Sequence, residues 1–411
     1  MGAEILHGTA ELNAALQRRN GLLEELHHTE MGRTTSDPRL AAFAGAVLLE
    51  YDRSPFFKQI IDRYAFKRAD IEQPSMAENV LFRAIQKQEL RRELLDGVRY
   101  PYPEPHDSIA VWRRDLQELT APGSQELPEI EDDLAHRHSK ANIVDRYKSF
   151  LFLLALGRGR FDRPTNIIDF GCSQNHGLKR LAIPPDATLQ FDFSETTLID
   201  RSSGTSDVRA SHTFNTLLQY TGGVGDSVGI DLDDMHAPDV REWAKTSTFK
   251  PQELLDVQTV AKYEILDSIG NLPNARINFL QRNIVTMDIE DFKEQTGGLS
   301  GDLVIMSALL HQLSPSNRLA VIEKARQLVK PNGLIVIQDF ARVNPADKTS
   351  LQFYKHWFAN PYRFRTLITS KESQFREFSE VIQWFDGRCK VGKLGPGLRL
   401  LPQTVRYGLS S

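Results

Sequence analysis

An apolar run that stops at an acid and meets a glycine two residues later constrains this chain more than any other stretch: Asn166-Ile-Ile-Asp-Phe-Gly-Cys-Ser-Gln-Asn-His-Gly177. A buried strand that breaks at Asp169, turns through Gly171 and enters a helix at Leu178-Lys-Arg-Leu181 is the pattern of the first βα turn in a doubly wound α/β sheet. Such a turn holds a ligand beyond the carboxyl ends of the strands. A pyrophosphate needs G-x-G-x-x-G, whose second glycine lets the backbone approach the phosphates. Ser173 stands at that position, which counts against a nicotinamide dehydrogenase.

A second segment repeats the logic. Gly301-Asp-Leu-Val-Ile-Met-Ser-Ala-Leu-Leu-His-Gln-Leu313 is a strand and its exit, Leu319–Val329 is helical, and Lys330-Pro-Asn-Gly-Leu-Ile-Val-Ile-Gln-Asp-Phe340 is the next strand. Together with Asp169 and Gly171 these stretches resemble the class I S-adenosylmethionine-dependent methyltransferase superfamily. Its patterns are D-x-G-x-G-x-G, D-L-V-x-x-x-x-L-H-H-L and L-x-P-G-G-x-L-x-I-x-D. Ser173 and Asn175 replace the later glycines of the first, and Gln312 and Asn332 depart from the others. The resemblance implies an α/β, Rossmann-like doubly wound methyltransferase sheet, S-adenosylmethionine as cofactor and a small-molecule methyl acceptor. It also implies a cofactor turn made of Asp169, Gly171, Cys172, Ser173 and Gly177, with Ser307 at the end of the fourth strand beside it.

An acid about 20 residues past such a turn binds ribose hydroxyls. Asp192, in Leu189-Gln-Phe-Asp-Phe-Ser194, has that spacing, but Ser227-Val-Gly-Ile-Asp-Leu-Asp233 is the better strand-then-acid sequence. We favour Asp231, with Leu232 beside it, and keep Asp192 as the alternative. Residues 187–225 are then an inserted hairpin or excursion, turned at Ser202–Ser206 and Gly222–Gly225. The third strand is Ala275–Gln281. In methyltransferases an Asp or Asn after this strand bonds the adenine amino group, which assigns Asn283 and Ile284 to the cofactor; the competing role for Asn283 is a surface turn.

The region Val228–Asp233, Asp239-Val-Arg-Glu-Trp243 and Phe249-Lys-Pro251 also resembles a domain-of-unknown-function family of bacterial methyltransferase-like proteins. That family carries an Asn and an Arg four apart before its first motif, which correspond to Asn142 and Arg146 and make them cofactor-side candidates. Phe249, Lys250 and Asn175 depart from its pattern.

Methyl transfer from a sulfonium is an in-line displacement that needs a dry, oriented pocket, and a base only when the acceptor must lose a proton. His311, just after the fourth strand, is the candidate base; a packed structural histidine is the competing role. Asp339 and Arg342, after the fifth strand, are candidate substrate contacts. A cofactor-binding protein without transferase activity is the alternative function, and an RNA methyltransferase a third.

At 411 residues the chain exceeds a single core. Three- and four-residue apolar spacing in Leu12–Leu26, Leu40–Tyr51, Phe56–Tyr64 and Met76–Leu95, with starts at Asp37-Pro38, Ser54-Pro55 and Pro74-Ser75, predicts an all-α domain over residues 1–130. We expect it to cover the pocket and select the acceptor. Residues 131–411 form the Rossmann-like domain. Glu129–Asp133 reads as an exposed acidic connection, and Leu134–Leu156 as one helix entering the first strand, with Ile143, Tyr147, Phe150, Leu151 and Leu154 as its apolar stripe and Asn142 and Arg146 on its polar side. Further helices are expected at Leu351–Phe358 and Ser379–Phe385, and a hairpin from Cys389–Leu394 with Gly397–Tyr407. The aromatic and basic mixture of Leu351–Arg365 would suit nucleic acid, but a helix with a core-facing aromatic stripe is preferred.

A net charge of -4 offers no long-range attraction to nucleic acid or an anionic membrane. Two cysteines without ligand spacing predict neither a disulfide framework nor a metal site. With no apolar run of spanning length and no signal peptide pattern, a cytoplasmic protein is expected.

Overall fold

Helices build the first unit, several of them started at a proline. The computed structural model describes residues 2–32, 38–69, 74–95, 108–138, 144–156, 163–182, 197–199, 208–209, 223–246, 266–269, 271–272, 275–344, 347–353, 364–374, 376–385, 389 and 391–397. α1 (Gly2–Glu30), α2 (Pro38–Arg53), α3 (Pro55–Lys67) and α4 (Pro74–Leu95) agree with the apolar spacing, and α5 (Ile109–Leu119) and α6 (Leu127–His136) follow. Ser54 shows how a start is made: its hydroxyl accepts the Phe57 amide while Pro55 sits where no amide is needed. Phe43, Phe82 and Trp112, all fully buried, pack edge to face with centroids 5.0 and 5.2 Å from Phe43.

The compact unit containing these helices is Met1–Ala141 together with Arg241–Asp256. It ends ten residues beyond the boundary expected at Glu131, because α6 is part of its core. Glu129–Asp133 is thus no exposed connection: Asp133 is 1% exposed and its carboxylate takes the Lys87 ammonium at 2.8 Å. The remote stretch belongs here through Trp243, whose ring lies under the Arg83 guanidinium at 4.4 Å and whose indole donates to the His138 carbonyl.

The second unit, Asn142–Val240 with Val257–Ser411, is the α/β part. β1 (Ile167–Phe170), β4 (Ser227–Asp231), β6 (Ala275–Gln281), β7 (Gly301–Ser307) and β8 (Val329–Asp339) are parallel neighbours in the order β6-β4-β1-β7-β8. Alternation sends side chains to two faces. Ile167, Leu303 and Ile305 join one core with α7 (Lys148–Leu156) and α8 (His176–Ala182), whereas Ile168, Val304 and Met306 join another with α10 (Ile289–Gln295) and α11 (Pro315–Leu328). Between β4 and α10, helix α9 (Pro238–Lys245) carries Trp243. The fold is therefore the expected Rossmann-like, doubly wound α/β sheet with an N-terminal helical region.

Among the described residues the sheet has eleven strands. β2 (Thr197–Ile199) and β3 (Val208–Arg209), within the 187–225 excursion, form a hairpin that joins the far edge through β13 (Val391–Leu394); β5 (Asn271–Leu272) lies at the other edge. Two helix expectations fail. Ser379–Phe385 is mostly β12 (Ser379–Trp384), an interior strand between β11 (Phe364–Thr369) and β13 whose β-branched Val381 and Ile382 are fully buried. Leu351–Phe353 belongs to β10 (Asp347–Phe353), paired with β9 (Ala341–Asn344), while 354–363 lie outside the described residues. The single helix Leu134–Leu156 is also absent: α6 stops where Arg137 turns extended, and a 3-10 turn, Val144–Tyr147, precedes α7. That break lets Tyr147 reach the end of β1.

Candidate functional site

Strand order reverses on either side of β1, so the carboxyl ends of β1 and β7 mark the switch point where doubly wound sheets bind ligands. Asp169, Asp231, Ser307 and Asp339 lie at or next to the ends of their strands, and Asn283 two residues past β6. The loops after β1 and β7 meet: a methyl added at Gly171 would lie 3.1 Å from Leu309.

The turn after β1 has left-handed backbone at every second residue, with φ of +75° at Gly171, +53° at Ser173 and +58° at Asn175. Asparagine tolerates this region and serine does so at a cost of roughly 1 kcal/mol. The amides of Gly171 and Cys172 donate to the Ile230 carbonyl, and the Ser173 amide donates to Asp231 Oδ2 at 2.7 Å. Asp231 Oδ1 takes the Leu232 amide at 2.7 Å. Asp231, 6% exposed, thus caps the turn from the neighbouring strand. Gly229 makes the turn possible, since a methyl there would overlap the side chains of Asn175 and Cys172. A lone glycine in the apolar run Val228-Gly-Ile-Asp231 was the sequence signal for this close approach.

Tyr147 is the residue that the sequence reading treated only as part of an apolar stripe. Its hydroxyl donates to Asp169 Oδ2 at 2.5 Å, and its ring covers Gly177, where a methyl would overlap it. Gly177 is therefore occupied with admitting the ring. Asp169 is fully buried, and its Oδ1 has no hydrogen-bond partner among the described residues. Burial pushes its carboxyl up to about 8; the Tyr147 donor opposes the shift and the nearby Asp231 charge adds to it.

After β7 the chain passes through Ala308, also left-handed at φ +53°, into a short 3-10 turn carrying His311. His311 Nδ1 lies 2.6 Å from Asp339 Oδ1, and the His311 and Phe340 amides also donate to that carboxylate. Asp339 is fully buried. Burial alone would raise its pKa, but the His311 charge and these donors outweigh it and hold the carboxyl below its usual range. Asp339, expected to touch substrate, has both oxygens engaged within the protein, Oδ1 lying against the imidazole. Bonding through Nδ1 leaves Nε2 as the ring's basic nitrogen in the neutral tautomer.

The other expected residues divide. Ser307 donates to Gln338 Oε1 at 2.9 Å, and Gln338 Nε2 donates to the Arg146 carbonyl and the Ser149 hydroxyl, so Ser307 belongs to a buried network fixing the Val144–Tyr147 turn. The Arg146 guanidinium lies over the Phe364 ring at 5.1 Å. Cys172 and Ile284 are buried, while Leu232 is 44% exposed beside Asp231. Asn283 is exposed and its Oδ1 takes the Val285 amide at 3.0 Å, as in an Asx turn. Asn142, Asp192 and the Arg342 side chain lie outside the described residues. Among the described residues no helix is long and apolar enough to cross a membrane, and no cluster of three His, Cys, Asp or Glu could hold a metal ion.

No protein-family profile matches the chain, and no curated protein matches it; the likeness to the domain-of-unknown-function family thus rests on the sequence motifs alone. Several solved structures align. An O-methyltransferase family protein from Burkholderia thailandensis is 15% identical over 75% of this chain and 58% of its own, with a TM-score of 0.28. An S-adenosylmethionine-dependent methyltransferase from Thiobacillus denitrificans, in complex with S-adenosyl-L-homocysteine, is 13% identical over 50% and 52%, with a TM-score of 0.24. CalS10, an amino pentose methyltransferase from Micromonospora echinaspora, is 12% identical over 57% and 62%, with a TM-score of 0.23. The chain spans less than two thirds of the length of each. At these TM-scores the likeness carries no argument, and the fold class rests on the sheet order and the turn described above.

Proposed function

We propose that this chain is an S-adenosylmethionine-dependent methyltransferase acting on a small-molecule acceptor. The observation that carries the reading is the left-handed backbone at Gly171, Ser173 and Asn175, the three positions where the resembled motif has glycine, directly after Asp169. The residues fit the cofactor at one further point. The buried Asp169 Oδ1, without a hydrogen-bond partner among the described residues, suits a positively charged group, and S-adenosylmethionine carries an ammonium. Asp169, Gly171 and Ser173 would hold the amino-acid tail, Asp231 and Leu232 the ribose side, and Asn283 with Ile284 the base. When bound, the cofactor supplies an electrophilic methyl group on a sulfonium.

The chain's own residues do the rest. The Ser173 side chain narrows the turn against a pyrophosphate. His311 accepts a proton from the acceptor at Nε2, with Asp339 holding the ring and stabilising the imidazolium that forms. The second reading, a cofactor-binding protein without transfer, is favoured by the burial of His311, 5% exposed. Methyl-labelled S-adenosylmethionine with a panel of hydroxyl and amine small molecules separates the two. We expect transfer that falls roughly 10²–10⁴-fold in His311→Ala with cofactor affinity retained. Binding without transfer to any acceptor would support the second reading instead.

A further inference from the structure

Asp169 combines features that a resident structural carboxylate rarely has. It is fully buried, one oxygen takes the Tyr147 hydroxyl at 2.5 Å, and the other has no partner among the described residues. Among the described residues the groups that act on it are few: Tyr147 approaches from the 3-10 turn, and the Asp231 charge acts from the end of β4. In register, β4 and β7 offer only Gly229 and Ile305. Among the described residues no cation partners its free oxygen, and the charge that acts on it is another acid, Asp231.

We propose that Asp169 releases a proton when a positively charged ligand seats at this turn, and that Tyr147 is the positioning residue that holds the carboxyl for the exchange. The inference rests on the S-adenosylmethionine reading, because the amino-acid tail of that cofactor brings the ammonium. No covalent bond to the ligand forms. The carboxylic proton passes to solvent, and the carboxylate that remains faces the ligand's positive charge, with Tyr147 still donating to Oδ2. Burial raises Tyr147 well above its ordinary range, so its hydroxyl keeps its proton throughout and always acts as the donor.

The sign follows from the burial of Asp169, which keeps the carboxyl protonated up to about 8 without ligand. A ligand that selects the ionised form binds best above that value. Its affinity falls by up to tenfold for each pH unit below it. Tyr147→Phe removes a donor that favours the ionised form, so the midpoint of this dependence moves upward.

The test is calorimetric titration of the full chain with S-adenosylhomocysteine, which has the ammonium but no sulfonium, in buffers of different ionisation heat. At pH 7 we expect release of close to one proton per ligand bound, and little release at pH 9. Adenosine, lacking the ammonium, should release none. Asp169→Asn should bind with affinity independent of pH between 6 and 9, and Tyr147→Phe should shift the wild-type midpoint upward. Binding with no proton release at pH 7 overturns the inference while leaving the cofactor reading intact. Should Asp169→Asn fail to fold, the wild-type buffer comparison alone decides. Absence of binding by S-adenosylhomocysteine and S-adenosylmethionine at every pH would instead sink the cofactor reading, and this inference with it.

Discussion

At the scale of single residues, the turn after β1 shows how a motif is kept after its letters change. Ser173 and Asn175 carry side chains where the resembled pattern has glycine, yet both hold left-handed backbone. The space Asn175 needs is supplied in part by Gly229 on the neighbouring strand, and the Ser173 amide is capped by Asp231. Gly177 is the sharpest test of this local packing. A Gly177→Ala methyl would overlap the Tyr147 ring and push it from Asp169, so we expect a loss of roughly 1–3 kcal/mol in denaturant unfolding. The lost Tyr147 donor would also shift the pH dependence of unit stability. Unchanged unfolding would show that the ring does not sit over this glycine. Asp169 and Gly171 were legible in sequence because an acid and a glycine ending an apolar run have a narrow meaning. Tyr147 was not, because an aromatic in an apolar stripe is most simply a core residue, and only the break before α7 aims its hydroxyl at Asp169.

At the scale of elements, the sequence was clearest where local chemistry and tertiary context agree. Ser54 with Pro55 starts a helix in the way its type dictates. β7 and β8 were legible as apolar runs of the parallel core. Ser379–Trp384 was not, since a run of mixed polarity has no intrinsic period and becomes a strand only because β11 and β13 flank it. Glu129–Asp133 looked solvated because its partners Lys87 and Arg91 lie far away in sequence. Trp243 extends the point, as it follows β4 in sequence but packs with the N-terminal helices. Removing residues 1–130 would strip Arg83 from its ring and from the Thr246 hydroxyl, exposing a large apolar surface. We therefore expect the 131–411 fragment to be less soluble and to melt lower than the whole chain, by light scattering and calorimetry. A fragment with the melting temperature of the full protein would contradict this.

At the scale of the whole molecule, the sheet order puts the βα turn and the β7 exit side by side at the switch point, and this is the level at which residues scattered from Tyr147 to Asp339 become one site. The sequence indicated the central parallel strands and most of their terminal acids. It left open which acid follows the second central strand, because a long excursion separates β1 from β4; Asp231 ends that strand, while Asp192 lies outside the described residues. The central claim is that this turn accepts S-adenosylmethionine and rejects a pyrophosphate. Titrating the full chain in parallel with S-adenosylmethionine, S-adenosylhomocysteine and NAD tests it most directly. The account predicts saturable binding of the first two and none of NAD; binding of NAD without binding of S-adenosylmethionine would contradict it.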